Sequence, residues 1–220
     1  MLFNRFFGAG GGGLGTGFAV QALIPGPSSS QINATYLNVP LGPQAANRHI
    51  IMTHHRAATQ AGTVTGVTVG GLPASVQSRN LSGASTFAIS WLKFPSGIAA
   101  DIVVSWAAGA IGNSMAVYSL DLGGDLVEGV METSTNQASG PTMTLPPGHV
   151  MIGGACGRST GGGVDVNMTR AQEWENQPGS SGEWLPGFND LGVGIVEETF
   201  ALKSAGGDRY FAGYQSFGRP

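Results

Sequence analysis

The twenty residues from Phe87 to Trp106, FAISWLKFPSGIAADIVVSW, decide the fold class. Phe87, Ile89 and Trp91 recur at every second position, then Pro95-Ser96-Gly97 breaks the run. The pattern resumes at once, with Ile102, Val104 and Trp106 set against Asp101, Val103 and Ser105. Successive strand side chains point to opposite faces, so a period of two on both sides of a Pro-x-Gly turn predicts a pair of half-buried strands.

The same grammar extends in both directions. Upstream, Tyr36, Leu37 and Val39 run into Pro40-Leu41-Gly42-Pro43. His49–His55 places Ile50, Met52 and His54 on one side and Ile51 and Thr53 on the other. Thr63–Val69 places Thr63, Thr65, Val67 and Val69 together and ends at Gly70-Gly71. Downstream, Met115–Leu122 sets Tyr118 and Leu120 against Met115 and Val117. Thr142–Leu145 and His149–Ala155 flank Pro146-Pro147-Gly148, and Val164–Met168, Val193–Leu202 and Tyr210–Phe217 complete the series. About ten or eleven short strands at this spacing predict an all-β, antiparallel two-sheet β-sandwich, jelly-roll-like. Its expected core is Ile50, Met52, Val67, Val69, Ile89, Trp91, Ile102, Val104, Val117, Ile152 and Phe200. The stretches Gly123–Gly140 and Ala171–Asp190 lack the alternation and read as long irregular loops, which commonly carry interactions. No internal repeat is visible in the sequence.

Composition agrees. Charged residues make up 10% of the 220 and glycine contributes 37 positions, against roughly 25% charged residues in an average soluble domain. Helical surfaces are normally covered with Glu and Lys, and the lysines here are Lys93 and Lys203 alone. A formal net charge of −3 with no basic stripe argues against nucleic acid as a partner. No run approaches the roughly 20 apolar residues of a membrane helix, so no membrane partner is expected. A single cysteine, Cys156, in an apolar strand signal reads as a structural thiol of a protein made in a reducing compartment.

Ahead of the sandwich, residues 1–33 form an extended N-terminal arm and linker, with the sandwich domain read over 34–220. The arm opens MLFNRFFGAGGGGLGTG. An apolar, singly basic tip of Leu2, Phe3, Arg5, Phe6 and Phe7 precedes a glycine tract. Glycine chains lose the most backbone freedom on ordering, so such a tip reads as a tethered anchor that docks into a neighbouring subunit. GAGGGG at Gly8–Gly13 fits G-x-G-x-x-G, but no strand precedes it and no helix signal follows, so a dinucleotide site is not expected.

Other chemistry finds little support. His54 and His55 are adjacent and so fall on opposite strand faces, and no zinc-type spacing accompanies them. Asp121, Asp125, Glu128 and Glu132 form an acidic stretch without the EF-hand pattern. No metal and no cofactor is expected. Glu173, Trp174, Glu175 and Trp184 are the remaining candidates, two tryptophans and two carboxylates in a polar stretch suited to stacking on a sugar ring or contacting a protein. A glycan hydrolase using paired carboxylates is a weaker alternative, because sequence does not set their separation.

The order of features from Tyr36 to Leu120 resembles small β-sandwich proteins of tailed bacteriophages. The residues that carry it are VPLGPQAANRHIIMTHH (39–55), VTVGGLPAS (67–75), Phe87–Trp106 and MAVYSLDL (115–122), with YFAGYQSFGRP (210–220) similar in kind. The resemblance implies a virion component of tail, fibre or capsid-surface type, made in the host cytoplasm. Its partners would be other virion proteins and further copies of itself, a trimer being one arrangement that covers exposed sheet edges. It implies no catalytic residue. The alternative from another class is a carbohydrate-binding adhesin using Trp174 and Trp184 on a host glycan.

Overall fold

A computed structural model describes residues 19–24, 31–57, 62–82, 85–110, 113–134, 139–145, 149–157, 164–166, 170–176, 185–193, 198–204 and 210–219. Among the described residues every regular element is a strand. The first nine are β1 (Ala19–Ile24), β2 (Gln31–Pro40), β3 (His49–Ala57), β4 (Val64–Val69), β5 (Leu72–Pro73), β6 (Ser75–Ser82), β7 (Ser85–Lys93), β8 (Ala99–Ala110) and β9 (Asn113–Leu120). They form one sheet in the order β1-β9-β3-β7-β6 and another in the order β2-β8-β4-β5. Every pairing is antiparallel. Pairing starts at Ala19↔Ser119, inside the stretch read as arm and linker.

Eight more strands follow: β10 (Val127–Ser134), β11 (Ser139–Leu145), β12 (Val150–Gly157), β13 (Val164–Val166), β14 (Arg170–Asn176), β15 (Leu185–Val193), β16 (Glu198–Ser204) and β17 (Tyr210–Gly218). Their sheets run β10-β17-β12-β15-β14 and β11-β16-β13. This repeats the first order strand for strand. Substituting β10, β11, β12, β13, β14, β15, β16 and β17 for β1, β2, β3, β4, β6, β7, β8 and β9 reproduces both sheets, with only the two-residue β5 lacking a counterpart among the described strands. The repetition lies in connectivity and not in side chains, so the sequence displays none of it.

The two sheets of the first nine strands pack against each other. Ile50 and Met52 of β3, Ala88 of β7 and Met115 and Val117 of β9 meet Val64, Val67 and Val69 of β4 and Ile102, Val104 and Trp106 of β8. Apart from Val64, both groups lie at the face that the alternation predicts. Tyr36 packs at the margin of this core, and burial pushes its phenol up to about 12. The second face of the five-stranded sheet is covered as well. Ile51, Phe87, Ile89, Trp91, Ala116, Tyr118 and Leu120 meet Met131 of β10, Val150 and Ile152 of β12 and Phe217 of β17. The expected two sheets are therefore four, and the β1-β9-β3-β7-β6 sheet is buried on both sides. Its strand β3 carries Ile50, Ile51, Met52 and Thr53 at 0% exposure, the continuous burial of a central strand rather than that of a half-wet one. The expected core residues from Ile50 to Ile152 are all buried. Phe200 lies in β16, and its side chain is outside the described set.

Turn chemistry places the strands. Gly70 and Gly71 have φ of 57° and 82° and close the β4–β5 hairpin. Two successive positive φ values define the tight turn that matches strand twist, and glycine adopts them without strain. Only Ala74 separates β5 from β6, so the chain leaves one sheet and enters the other within a residue. Thr65 departs from the sequence reading. A bulge between Val64 and Gly66 turns Val64 inward with Val67 and Val69 and leaves Thr65 exposed.

Gly213 is a point of close approach between the two five-stranded sheets. It sits on β17 opposite Gly154 and Thr133, and a β-carbon there would fall within the ring of Phe87. Gly213→Ala is expected to destabilise the protein by about 1–3 kcal/mol, the usual cost of overpacking. Chemical denaturation checks it, and Phe87→Leu in the same background should recover part of the loss.

The two stretches read as irregular loops contain strands. Gly123–Gly140 holds β10, whose register shifts between Glu128 and Met131, so period two never appears in VEGVMETS. Ala171–Asp190 holds β14 and most of β15, paired from Arg170↔Asp190 to Asn176↔Leu185. β14 is a sheet edge. Edge strands carry charge to discourage further pairing, and RAQEWEN accordingly lacks a strand-like hydrophobic pattern.

Candidate functional site

Leu2, Phe3, Arg5, Phe6 and Phe7 lie outside the described residues, as does Trp184. Glu173, Trp174 and Glu175 are consecutive in β14, opposite Phe188, Gly187 and Pro186 of β15, so this part of the expected loop is a paired edge strand.

A groove of about 490 Å³ gathers a few polar groups of the first nine strands and of the connection into β10. His49, Trp91 and Lys93 line it from β3 and β7, Leu72 and Pro73 from β5, and Asp125 and Leu126 from the connection. The volume is in the range of small-ligand clefts. Its chemistry is already engaged within the fold. Lys93 Nζ donates to Asp125 Oδ1 at 2.7 Å, and that hydrogen bond is the main cause holding the Asp125 carboxyl below its ordinary range. Trp91 is buried, edge-on to Phe217 with ring centroids 5.6 Å apart, and its Nε1 donates to Glu128 Oε2 at 3.2 Å. His49 is buried, with Nδ1 2.9 Å from the Asn47 carbonyl, and burial lowers its pKa below the usual imidazole value. These contacts tie the connection between the two strand sets to the end of the central sheet.

The acidic stretch is dispersed in the same way. Asp121 Oδ1 accepts from Gly123 N at 2.7 Å, Asp125 takes Lys93 and Glu128 takes Trp91. His54 lies in the core with Nε2 2.8 Å from Ser90 Oγ. Among the described residues no three His, Cys, Asp or Glu side chains gather as metal ligands would.

Among the described residues, one densely hydrogen-bonded side chain is one that sequence reading passed over. Arg48, 2% exposed, sits between the β2–β3 connection and the β7–β8 turn. Its Nη1 donates to the carbonyls of Gly42 and Pro43, each at 2.8 Å, its Nη2 to Ser96 and Gly97 at 3.0 and 2.7 Å, and its Nε to Phe94 at 2.8 Å. The guanidinium lies 6.0 Å from the Phe94 ring centroid, within cation–π range. Burial draws its pKa down from the ordinary arginine value. The available signal was its isolation, since no other Lys, Arg, Asp or Glu occurs between Arg5 and Arg56.

Comparison with protein-family models, with curated proteins and with solved structures finds no match to this chain.

Proposed function

We propose that the chain is a non-enzymatic structural component of a bacteriophage particle, displayed on the head or tail surface and anchored to a neighbouring subunit through its N-terminal arm. The observation that carries this reading is nested strand pairing. β1 pairs with β9, β2 with β8, β3 with β7 and β4 with β5. This is the signature of one antiparallel ribbon folded over on itself, and it supports a jelly-roll-like sandwich for the first nine strands. β10 with β17, β11 with β16 and β12 with β15 nest in the same manner. Jelly rolls serve repeatedly as coat-building and surface-recognition domains.

The polar side chains add support. The candidate acids, bases and metal ligands described above are spent on internal bonds: Asp125 on Lys93, Glu128 on Trp91, His54 on Ser90. What such a molecule offers a partner is surface and the tethered apolar tip Leu2–Phe7. Synthesis in the host cytoplasm and residence in the virion follow from the same reading.

Deleting Met1–Gly17 tests it. Particles assembled with the truncated chain should lose it, with occupancy by cryo-electron microscopy or quantitative mass spectrometry falling to near background. Incorporation at wild-type occupancy would overturn the anchoring role.

A further inference from the structure

Three large apolar side chains on and beside the ribbon of β2 and β8 are left exposed by the fold. Leu37 is 73% exposed, Ile98 68% and Ile32 59%. Isolated exposed apolar residues are ordinary, but Ile32 and Leu37 lie on the outer strand β2, and Ile98 lies in the turn beside the end of β2 that Leu37 approaches. β2 is an outer strand, and QINATYLNVP holds no charged residue that would protect it. Charge occurs on other edges, Arg79 on β6, Glu128 and Glu132 on β10, and Arg170, Glu173 and Glu175 on β14, while the edges β1 and β11 are uncharged but shorter than β2.

One carboxylate stands among the apolar groups. The chain bulges between Tyr36 and Val39, Asn38 adopts φ of 51°, and its N–H donates to exposed Asp101 Oδ1 at 2.8 Å. Leu41 N donates to the Ile98 carbonyl at 2.8 Å, which fixes Ile98 three residues from Asp101 at the same end of the ribbon. That end of the ribbon therefore holds one exposed carboxylate with the exposed apolar side chains of Leu37 and Ile98 nearby along the chain. The tip of the arm has the complementary pattern. In an extended segment Phe3, Arg5 and Phe7 share a face, which is apolar, basic, apolar over about 13 Å. The intervening Gly8–Phe18 spans up to about 36 Å when extended, enough to leave one molecule from Ala19 at the edge of its central sheet and reach another.

We propose that the tip Leu2–Phe7 of one copy docks on the β2–β8 ribbon of a second copy, with its phenylalanines against Leu37 and Ile98 and Arg5 paired to Asp101. The inference rests on the anchoring role above and names the receiving surface.

Sedimentation equilibrium of the full chain tests it. The wild type should self-associate in a salt-sensitive manner, because an exposed ion pair contributes. Leu37→Asp should weaken association at least about tenfold, as loss of a central apolar contact does, and so should Phe3→Asp with Phe7→Asp. The three substitutions together should be no weaker than the stronger set alone, since both break one contact. Ile98→Asp is a second patch variant, and the exposure of Leu37 and Ile98 keeps both variants folded at near wild-type thermal midpoint. A wild type that stays monomeric, or an association constant that Leu37→Asp leaves unchanged, overturns the proposal. If Leu37→Asp has no effect on association while deletion of Met1–Gly17 still empties the particles, the arm anchors elsewhere and only this receiving surface fails.

Discussion

Replacing Arg48 by Met should destabilise the protein by about 3–5 kcal/mol, although among the described residues no carboxylate pairs with it. The usual reason for keeping a buried arginine is an ion pair. Here the guanidinium instead gathers the carbonyls of Gly42, Pro43, Phe94, Ser96 and Gly97 from two separate connections. Met fills similar volume and donates nothing. The carbonyls then remain in a site where water has poor access, and each unsatisfied buried polar group costs about 1–3 kcal/mol. The loss stays below the full sum because the two loops would open and admit water. Arg48→Lys should fall in between, since an ammonium has three donors on a point charge and cannot reproduce the planar fork. Guanidinium denaturation of the three proteins measures this. A loss below about 1 kcal/mol for Arg48→Met would show that the carbonyls find other partners.

How far the sequence foretold the molecule can be judged at single residues. Strands with one clean period were legible: Ile102, Val104 and Trp106 turn inward as their spacing requires, and Tyr118 and Leu120 face away from Met115 and Val117. Glycine pairs at turns were legible for the same reason, because positive φ at Gly70, Gly71 and Gly97 is a local demand that local sequence meets. Departures from period two were not. The bulges at Thr65 and between Glu128 and Met131 each insert one residue and reverse the faces that follow. Edge strand β14 was hidden by the charge that an edge requires.

The doubled strand order was out of reach for a different reason. Topology is fixed by which strands pair, and many side-chain sets satisfy one pairing scheme. The two halves share an order and differ in length of strand and composition. Trp174 carries an aromatic ring and a polar neighbourhood, which attract attention in a sequence, and its backbone lies opposite Gly187 in an edge strand. Arg48 had the stronger physical role and only its solitude as a signal. The exposure of Leu37 and Ile98 depends on a bulge and on sheet order, neither of which spacing reveals.

The second large effect concerns the middle sheet. In a sandwich of two sheets, neighbours on a strand alternate between core and solvent, so only one of two adjacent residues is costly to shorten. In β3, Ile50 belongs to the core shared with β4 and β8, and Ile51 to the core shared with β10, β12 and β17. Both are fully buried. Truncating either removes three methyl or methylene groups from a packed site and leaves a cavity, at about 2–5 kcal/mol each. Because the two lesions lie on opposite faces of one sheet, they should also add to within about 0.5 kcal/mol, although they are adjacent in sequence.

Equilibrium denaturation of Ile50→Ala, Ile51→Ala and the double variant is therefore the most direct test that one sheet carries two cores. Comparable losses of about 2–5 kcal/mol from both single variants are the predicted result. A large loss from Ile50→Ala beside a loss under about 1 kcal/mol from Ile51→Ala would contradict it, and would return the molecule to two sheets with a solvent-facing side.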